Sequence, residues 1–372
     1  MLIGIDGNEA NVEKRVGIGE YAYELLRQFS KYQISNIKYQ IYLKTKPIDD
    51  LPKEREGWRY RIVKPSKLWT QIGLPFDLFW HRPRPDIFFS PTHYAPRFSC
   101  VPTIVSIMDL SFIHFPELFK KSDLYQLKNW TAYSVKKASK IFAISQASKD
   151  DIIKTYGIPK EKIVVTHLGI KNQKSKIENM DEIKKKYGIE GNYILFVGTL
   201  QPRKNIERLI EAFSKIKNQE SGIKNLELVI IGKKGWLYED ILSAPKKFGI
   251  EDKVKFLDFV SDNDLPSFYQ NAVCFVLPSL YEGFGLPVLE AMQNNCPVII
   301  SNVSSLPEAG GDAALYVNPE DVSDIAEKMR LLINDENLRK ELIKKGKKQI
   351  GKFSWEKTAR ETLKVLEEVA KK

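Results

Sequence analysis

Two glutamates stand eight positions apart in the segment YEGFGLPVLE, residues 281–290. Glu282 and Glu290 enclose two glycines, Gly283 and Gly285, together with one proline and otherwise apolar side chains. Because proline is tolerated in the first turn of a helix, a helix is predicted to begin at this proline. Glycines let the preceding loop approach a ligand closely, and a helix N-terminus favours a phosphate group.

The two carboxylates are not expected to bind the phosphate, because a carboxylate repels it. Glu290, one turn into the predicted helix, is placed to accept hydrogen bonds from vicinal hydroxyls, as an acidic residue does with ribose in dinucleotide sites. Glu282 is placed to do the same for a sugar on the far side of a diphosphate. Hydroxyls at both ends and phosphates between them describe a nucleotide sugar. The alternative is an ordinary strand–turn–helix segment with solvated acids, since glycines are common in loops.

Two cations follow another predicted strand. In GTLQPRKN, residues 198–205, Arg203 and Lys204 stand where a helix is predicted to begin. Two cations at the carboxyl end of a strand can hold a diphosphate and stabilise its charge as it leaves. A solvated helix start is the alternative interpretation.

The first half of the chain carries a weaker pattern of the same kind. Gly17 and Gly19 precede a predicted helix in RVGIGEYAYELL, although the third glycine of the dinucleotide-binding fingerprint is missing. Asp109 ends a predicted strand in MDLSFIHFPE, and His114 follows in the same loop.

These residues lie between short apolar runs that alternate with amphipathic stretches, a pattern typical of parallel sheets with crossover helices. The predicted strands cover residues 2–6, 39–44, 86–91, 103–109, 140–145, 162–167, 193–198, 226–232, 254–260, 272–279, 297–301 and 313–317. The predicted helices cover residues 19–32, 121–139, 146–156, 205–217, 239–248, 264–271 and 287–295, with one more from Ser354.

Two such series in 372 residues predict an α/β protein with two facing, Rossmann-like, doubly wound domains and a ligand cleft between them. The first domain is predicted at residues 1–170 and the second at 193–353. The polar segment 171–192 is the predicted linker, and 354–372 is the last helix.

The composition limits the class of protein. There is no run of about 18 apolar residues, and the N-terminus lacks the regions of a secretory signal. The three scattered cysteines suit a reducing cytosol and predict neither a disulfide framework nor a zinc site. A cytoplasmic location is therefore expected.

The net charge of +11 lies in the first half of the chain. Residues 1–180 carry 29 Lys and Arg against 18 Asp and Glu, whereas residues 181–372 carry 29 of each. A basic half can attract nucleic acid, an anionic membrane or phosphorylated substrates, or it can be a solvated lysine-rich surface. No recognisable nucleic-acid-binding module is present, so nucleic acid is not an expected partner.

Together these segments resemble glycosyltransferase family 4, the group 1 type of retaining enzyme with the GT-B fold, over almost the entire chain. The likeness to polysaccharide mannosyltransferases rests on the segments IGIDGNEANVEKRVGIGEYAYELL, FVGTLQPRKNIERLIEAF, VKFLDFVSDNDLPSFYQNA, PSLYEGFGLPVLEAM, PEAGGDAALYVNPED and FSWEKTA. The fourth contains the family's motif of two glutamates separated by seven residues.

The resemblance implies that the first domain binds the acceptor and the second binds the nucleotide-sugar donor, with the last helix returning to the first domain. Glu290 would bind the donor's ribose, and Glu282 would hold its sugar. The implied donor-binding set is Gly17, Gly19, Thr199, Arg203, Lys204, Gly283, Phe284, Gly285, Leu286 and Glu290. The implied catalytic set is Arg203, Lys204, Glu282 and Asp109.

Two positions depart from the family pattern. Many relatives have histidine where this chain has Met108, and methionine cannot transfer a proton. His114 is either a partial substitute or a packing residue. Thr199 stands where some relatives carry arginine, so Arg203 and Lys204 would have to hold the diphosphate without a third cation.

The reaction expected from the resemblance is transfer of a hexose, with GDP-mannose as the expected donor, to a glycan or lipid-diphosphate-linked acceptor. Same-face attack is favoured because no nucleophile is well placed, and neither a metal nor another cofactor is expected. A nucleotide-sugar epimerase, a phosphorylase and a basic nucleic-acid-binding protein are the alternatives.

The segment 67–80, rich in aromatic residues, either contacts an anionic membrane at its inner face or packs in the first domain.

Overall fold

The computed structural model describes residues 1–32, 36–171, 180–216 and 225–371. The chain divides into two compact units. Met1–Gly169 and Phe353–Lys372 form the first unit, and Ile170–Lys352 form the second. Each unit contains a parallel sheet with helices between its strands, so the predicted α/β class is confirmed.

The first unit is built on a seven-stranded sheet. Its strands are β1 (Leu2–Asp6), β2 (Lys38–Leu43), β3 (Trp58–Ile62), β4 (Ile87–Ser90), β5 (Thr103–Ile107), β6 (Lys140–Ala143) and β7 (Ile163–Val165). Their spatial order is β3-β2-β1-β4-β5-β6-β7, and neighbouring strands are parallel. The direction of winding reverses between β1 and β4. In sheets of this kind, ligands bind in the crevice at the carboxyl ends of the two strands that flank the reversal.

Helices lie between the strands of this unit along the chain. They are α1 (Ile18–Lys31), α2 (Leu74–Trp80), α3 (Ser111–His114), α4 (Lys121–Lys137) and α5 (Gln146–Tyr156). In α1, the buried side chains of Tyr21, Leu25 and Phe29 recur every four residues, which is the spacing that places them on one helix face.

The second unit repeats the design with six strands. They are β8 (Asn192–Val197), β9 (Leu226–Ile231), β10 (Val254–Leu257), β11 (Cys274–Leu277), β12 (Val298–Ser301) and β13 (Ala314–Val317). Their order is β10-β9-β8-β11-β12-β13, so the winding reverses between β8 and β11. Its helices are α6 (Met180–Tyr187), α7 (Ile206–Ser214), α8 (Glu239–Lys247), α9 (Leu265–Asn271), α10 (Leu286–Gln293), α11 (Leu306–Gly310), α12 (Val322–Asn334) and α13 (Glu336–Ile350).

The last helix, α14 (Trp355–Ala370), belongs to the first unit. The Ser354 hydroxyl caps it by accepting from the Lys357 backbone N–H at 3.1 Å. One turn on, the Thr358 hydroxyl donates to the carbonyl of His167 at 2.6 Å. The Trp355 ring lies 6.2 Å from that of Tyr21 on α1.

Some elements differ from the sequence predictions. Strand β3 was not predicted: its residues WRYRI form no continuous apolar run, and only Trp58 of its five side chains is buried. Helices α2, α3, α11, α12 and α13 were also not predicted. Helix α6 lies within the predicted linker 171–192, and residues 172–179 of that linker lie outside the described part of the chain.

Candidate active site

The cationic segment and the glycine loop of the second unit follow the two strands that flank its winding reversal. After β8, a short turn of 3-10 helix, Pro202–Lys204, leads into α7. After β11, the loop that contains Glu282 leads into α10. Since parallel strands end at the same edge, neighbouring β8 and β11 bring the two segments together at the position where such sheets bind ligands.

Glu282 contacts both cations. Lys204 Nζ lies 2.6 Å from Glu282 Oε1, and Arg203 Nη1 lies 3.3 Å from Oε2. All three side chains are largely buried. Burial alone raises the pKa of Glu282, but the charges of Lys204 and Arg203 outweigh that effect and lower the pKa to about 2. The carboxylate is therefore ionised at neutral pH, and the cluster of three groups carries one net positive charge.

Backbone and hydroxyl contacts fix the glycine loop. The backbone N–H of Glu282 donates to the Ser304 hydroxyl at 2.9 Å, and the Ser305 hydroxyl donates to the Glu282 carbonyl at 2.8 Å. Gly285 adopts a φ of +100°, and a Cβ added there would lie 2.8 Å from Leu306 Cδ2. The backbone angle therefore favours glycine, and an added Cβ would also displace the Leu306 side chain. Gly283, Phe284 and Gly285 are buried, and Leu286 begins α10.

Asn205 holds the cationic turn against the end of β11. It adopts a left-handed conformation with φ of 60° at the start of α7. Its side-chain amide donates to the carbonyls of Pro278 at 2.9 Å and Pro319 at 2.6 Å. Asn205 and the two serines were not among the predicted site residues, although an asparagine directly after two cations at a helix start is a signal that the sequence contains.

Glu290 lies in the second turn of α10 and is half-buried. Its Oε2 accepts a hydrogen bond from the hydroxyl of Tyr269 on α9 at 3.0 Å. Thr199 is exposed in the segment between β8 and the cationic turn. The structure thus brings Arg203, Lys204 and Glu282 into direct contact and places Glu290 on the helix that follows the glycine loop.

The two glycines of the first unit lie at the start of α1. Gly17 is exposed with φ of +50° and precedes the first residue of the helix. Gly19 is buried, and a Cβ there would lie 2.8 Å from the carbonyl oxygen of Glu9. Arg15 fixes the loop before them through two contacts with Asp50, at 2.6 and 2.7 Å.

Asp109 follows β5 and organises the next turn, because its Oδ1 accepts from the Ser111 backbone N–H at 2.9 Å. His114 lies 3.2 Å from Asp151 Oδ2. The histidine next to Met108 is instead His93, whose Nε2 accepts from the Met108 backbone N–H at 3.0 Å. Burial lowers the pKa of His93, and the charge of Asp109 opposes this shift. Sequence spacing gave no signal for His93, because it follows a different strand, β4.

The aromatic segment 67–80 divides between the interior and the surface. Trp69 is buried in a cluster with Leu74 and Leu78, as the core interpretation predicts. Phe76 and Trp80, on α2, are 65% and 66% exposed, which that interpretation does not explain.

Within the described ranges, no three or more His, Cys, Asp or Glu side chains are grouped so as to hold a metal ion. In the same part of the chain, no helix has both the length and the apolar character to cross a membrane.

Comparison with known proteins agrees with this architecture. A family profile described as Glycosyl transferases group 1 matches residues 179–349, and one described as Glycosyltransferase Family 4 matches residues 16–174. The chain is 32% identical to O-antigen chain mannosyltransferase B of Escherichia coli over 82% of its own length and 78% of the relative's.

Two solved structures share the fold. Sucrose-phosphate synthase from Thermosynechococcus elongatus superposes with a TM-score of 0.74 and 17% identity, covering 99% of this chain and 98% of that one. HepE of Anabaena, solved in complex with UDP and glucose, gives a TM-score of 0.74 and 18% identity, covering 99% of both chains. The predicted GT-B fold is thereby confirmed, and the chain belongs to the group 1, family 4 glycosyltransferases.

Proposed function

We propose that this enzyme transfers a hexose, with mannose as the expected sugar, from a nucleoside diphosphate sugar to a hydroxyl of a glycan or lipid-linked acceptor. The observation that carries the proposal is the contact of Arg203 and Lys204 with Glu282 at the winding reversal of the second sheet. The proposed reaction retains the configuration at the anomeric carbon and uses neither a metal nor another cofactor.

The diphosphate is proposed to bind the two cations, beside Thr199. The cluster keeps one positive charge after Glu282 is counted, and the N-terminus of α10 adds a partial positive charge. Preorganised positive charge is worth most where negative charge develops, which in this reaction is on the departing diphosphate. Arg203 and Lys204 would then replace the charge that a metal supplies in other enzymes.

The two glutamates are proposed to contact the sugars. Glu282 and the loop Gly283–Leu286 would hold the donor hexose, and Glu290 would accept hydrogen bonds from the ribose. In the first unit, Gly17, Gly19 and Asp109 stay candidates for contact with the substrates.

The electrostatics of Glu282 support retention by attack on the same face. A carboxylate with a pKa of about 2 that is bound by two cations is a weak base and a poor nucleophile. A double displacement through Glu282 is therefore disfavoured. The departing phosphate oxygen is the better proton acceptor for the attacking hydroxyl.

The donor is proposed to be GDP-mannose because the E. coli relative is named a mannosyltransferase. The test is to incubate the enzyme with GDP-mannose or UDP-glucose, with and without a lipid-diphosphate-linked glycan. Release of nucleoside diphosphate only with acceptor supports transfer. An epimerase would convert the donor without release, and a phosphorylase would require inorganic phosphate.

The acceptor is proposed to lie at the inner face of an anionic membrane, which the enzyme contacts peripherally from the cytoplasm. The exposed side chains of Phe76, Phe79 and Trp80 form an aromatic patch on α2. Lys67 and Arg82, at either side of this segment, are also exposed. Aromatic side chains next to basic residues fit the interface of an anionic bilayer.

A further inference from the structure

The hydroxyl of Tyr269 and the carboxylate of Glu290 link the two helices on either side of β11. Tyr269 lies on α9, which precedes the strand, and Glu290 lies on α10, which follows it. The hydroxyl donates to Glu290 Oε2 at 3.0 Å. Glutamate has three rotatable side-chain bonds, so a fixed partner on a neighbouring element restricts where its carboxylate lies.

Tyr269 is itself held rigidly. Its side chain is 1% exposed, and its ring packs edge-to-face on Phe275 of β11 with centroids 5.6 Å apart. Its helix is anchored by Phe268, whose ring lies 5.2 Å from that of Tyr187 and whose carbonyl accepts from the Tyr193 hydroxyl at 2.9 Å. The donor atom is therefore fixed before any ligand binds.

The Tyr269 hydroxyl also stays protonated. Burial raises its pKa well above the ordinary value, and the neighbouring charge of Glu290 raises it further. It is therefore a hydrogen-bond donor at neutral pH. A carboxylate has about four lone-pair positions, and the bond from Tyr269 occupies one of them.

From this geometry we propose that Tyr269 is a positioning residue of the donor site, which orients the Glu290 carboxylate toward the vicinal hydroxyls of the ribose. The inference rests on the proposed function, because it assigns Glu290 to the ribose. It adds that recognition of the 2′ and 3′ hydroxyls depends on a buried side chain that does not touch the nucleotide.

Phenylalanine at position 269 isolates this role, because it keeps the ring packing and removes the donor atom. Tyr193→Phe is the matched control: it removes a buried hydroxyl that bonds to the same helix but not to Glu290. Two probes are used. The first is the nucleoside diphosphate, among GDP, UDP and ADP, that binds the wild type most tightly, and the second is its 2′,3′-dideoxy form. Titration calorimetry measures both affinities for each variant.

We expect Tyr269→Phe to lower the affinity for the ribonucleotide by about tenfold, which corresponds to roughly 1.4 kcal/mol of binding free energy. The affinities of Tyr269→Phe and wild type for the dideoxy probe should agree within about twofold, since this probe has no ribose hydroxyl that could donate a hydrogen bond to Glu290. Tyr193→Phe should keep the wild-type ratio between the two probes. In a Glu290→Ala background, Tyr269→Phe should have no further effect on the affinity.

Three results would overturn the inference. If wild type prefers the ribonucleotide and Tyr269→Phe binds both probes as tightly as wild type does, Tyr269 does not position Glu290, while the proposed function stands. If Tyr269→Phe weakens both probes equally, its role is structural. If wild type binds none of the three nucleoside diphosphates, the proposed function and this inference are both wrong.

Discussion

Lys204 Nζ and Glu282 Oε1 lie 2.6 Å apart, although the two residues are 78 positions apart in the chain. The contact joins the segments after β8 and β11 and is reinforced by Arg203. Removing two opposite charges from water is costly unless they are paired and hydrogen-bonded. This buried pair therefore sets a fixed charge pattern at the edge of the sheet where we propose that the diphosphate binds.

The first prediction concerns the pH dependence of stability. The pKa of Glu282 falls from an ordinary 4.5 to about 2 in the folded protein. Because the folded pKa is the lower one, the stabilisation is fully present above pH 4.5 and is lost as the pH falls towards 2. Glu282→Gln should therefore destabilise the protein by about 3 kcal/mol at pH 7 and by much less near pH 2.

Urea unfolding followed by circular dichroism at a series of pH values measures this difference. Glu336→Gln is the control, because Glu336 forms an exposed pair with Lys340 at 2.7 Å and surface pairs contribute little. A destabilisation by Glu282→Gln that stays constant from pH 7 to pH 2 would show that the buried pair does not set the pKa.

The second prediction concerns Gly285. Alanine there must adopt φ of +100° and place its Cβ 2.8 Å from Leu306 Cδ2, so both backbone strain and a clash are expected. Gly249→Ala is the matched control, with φ of +66° and no atom within 4 Å of the added Cβ. We expect about 1 kcal/mol of destabilisation for Gly249→Ala and roughly 2–4 kcal/mol for Gly285→Ala. If Gly285→Ala and Gly249→Ala lower the unfolding midpoint equally, the contact with Leu306 does not restrict position 285 to glycine.

The third prediction concerns catalysis. If Arg203 stabilises the charge on the departing diphosphate, Arg203→Ala should lower kcat by roughly a hundredfold or more. Arg330→Ala, on α12, is the control and should leave kcat unchanged. The measurement is release of nucleoside diphosphate in the presence of acceptor. A variant at position 203 that raises KM alone would mean that this residue binds substrate and transition state equally.

The fourth prediction concerns the aromatic patch. Phe76→Ser combined with Trp80→Ser should weaken binding to vesicles of anionic phospholipid by at least about tenfold, since each buried aromatic side chain contributes about 1.5–3 kcal/mol. The control is Leu331→Ser, which removes an apolar side chain of the second unit that is 40% exposed. Vesicle sedimentation at low and high salt measures the effect. Wild-type protein that does not bind at low salt would rule out the membrane contact.

Much of the fold was predictable because its central strands are apolar on both faces. Strands such as β8 and β11 appear in the sequence as short apolar runs rich in Ile, Val, Leu and Phe, and their positions were predicted within about two residues. Strand β3 was missed because, at the edge of the sheet, it buries only Trp58. Its residues WRYRI alternate between apolar or aromatic and charged side chains, so the strand had a signal of its own but no continuous apolar run.

The site was predictable residue by residue but not as a set of contacts. Glycine, proline and charge spacing indicated Arg203, Lys204, Glu282 and Glu290, and their functional roles stay predictions. The salt bridge between Lys204 and Glu282 and the bond from Tyr269 to Glu290 depend on the order of strands in the sheet and on side-chain geometry. Periodicity in the sequence does not specify either of them.

Binding of the donor diphosphate by Arg203 and Lys204 is best tested by a crystal structure of the protein with GDP-mannose or, if it binds better, UDP-glucose. We predict diphosphate oxygens within hydrogen-bonding distance of Arg203 and Lys204, with the ribose hydroxyls on Glu290 and the hexose beside Glu282. A donor bound elsewhere, or bound here with Arg203 and Lys204 turned away from its phosphates, would show that these two cations do not hold the diphosphate.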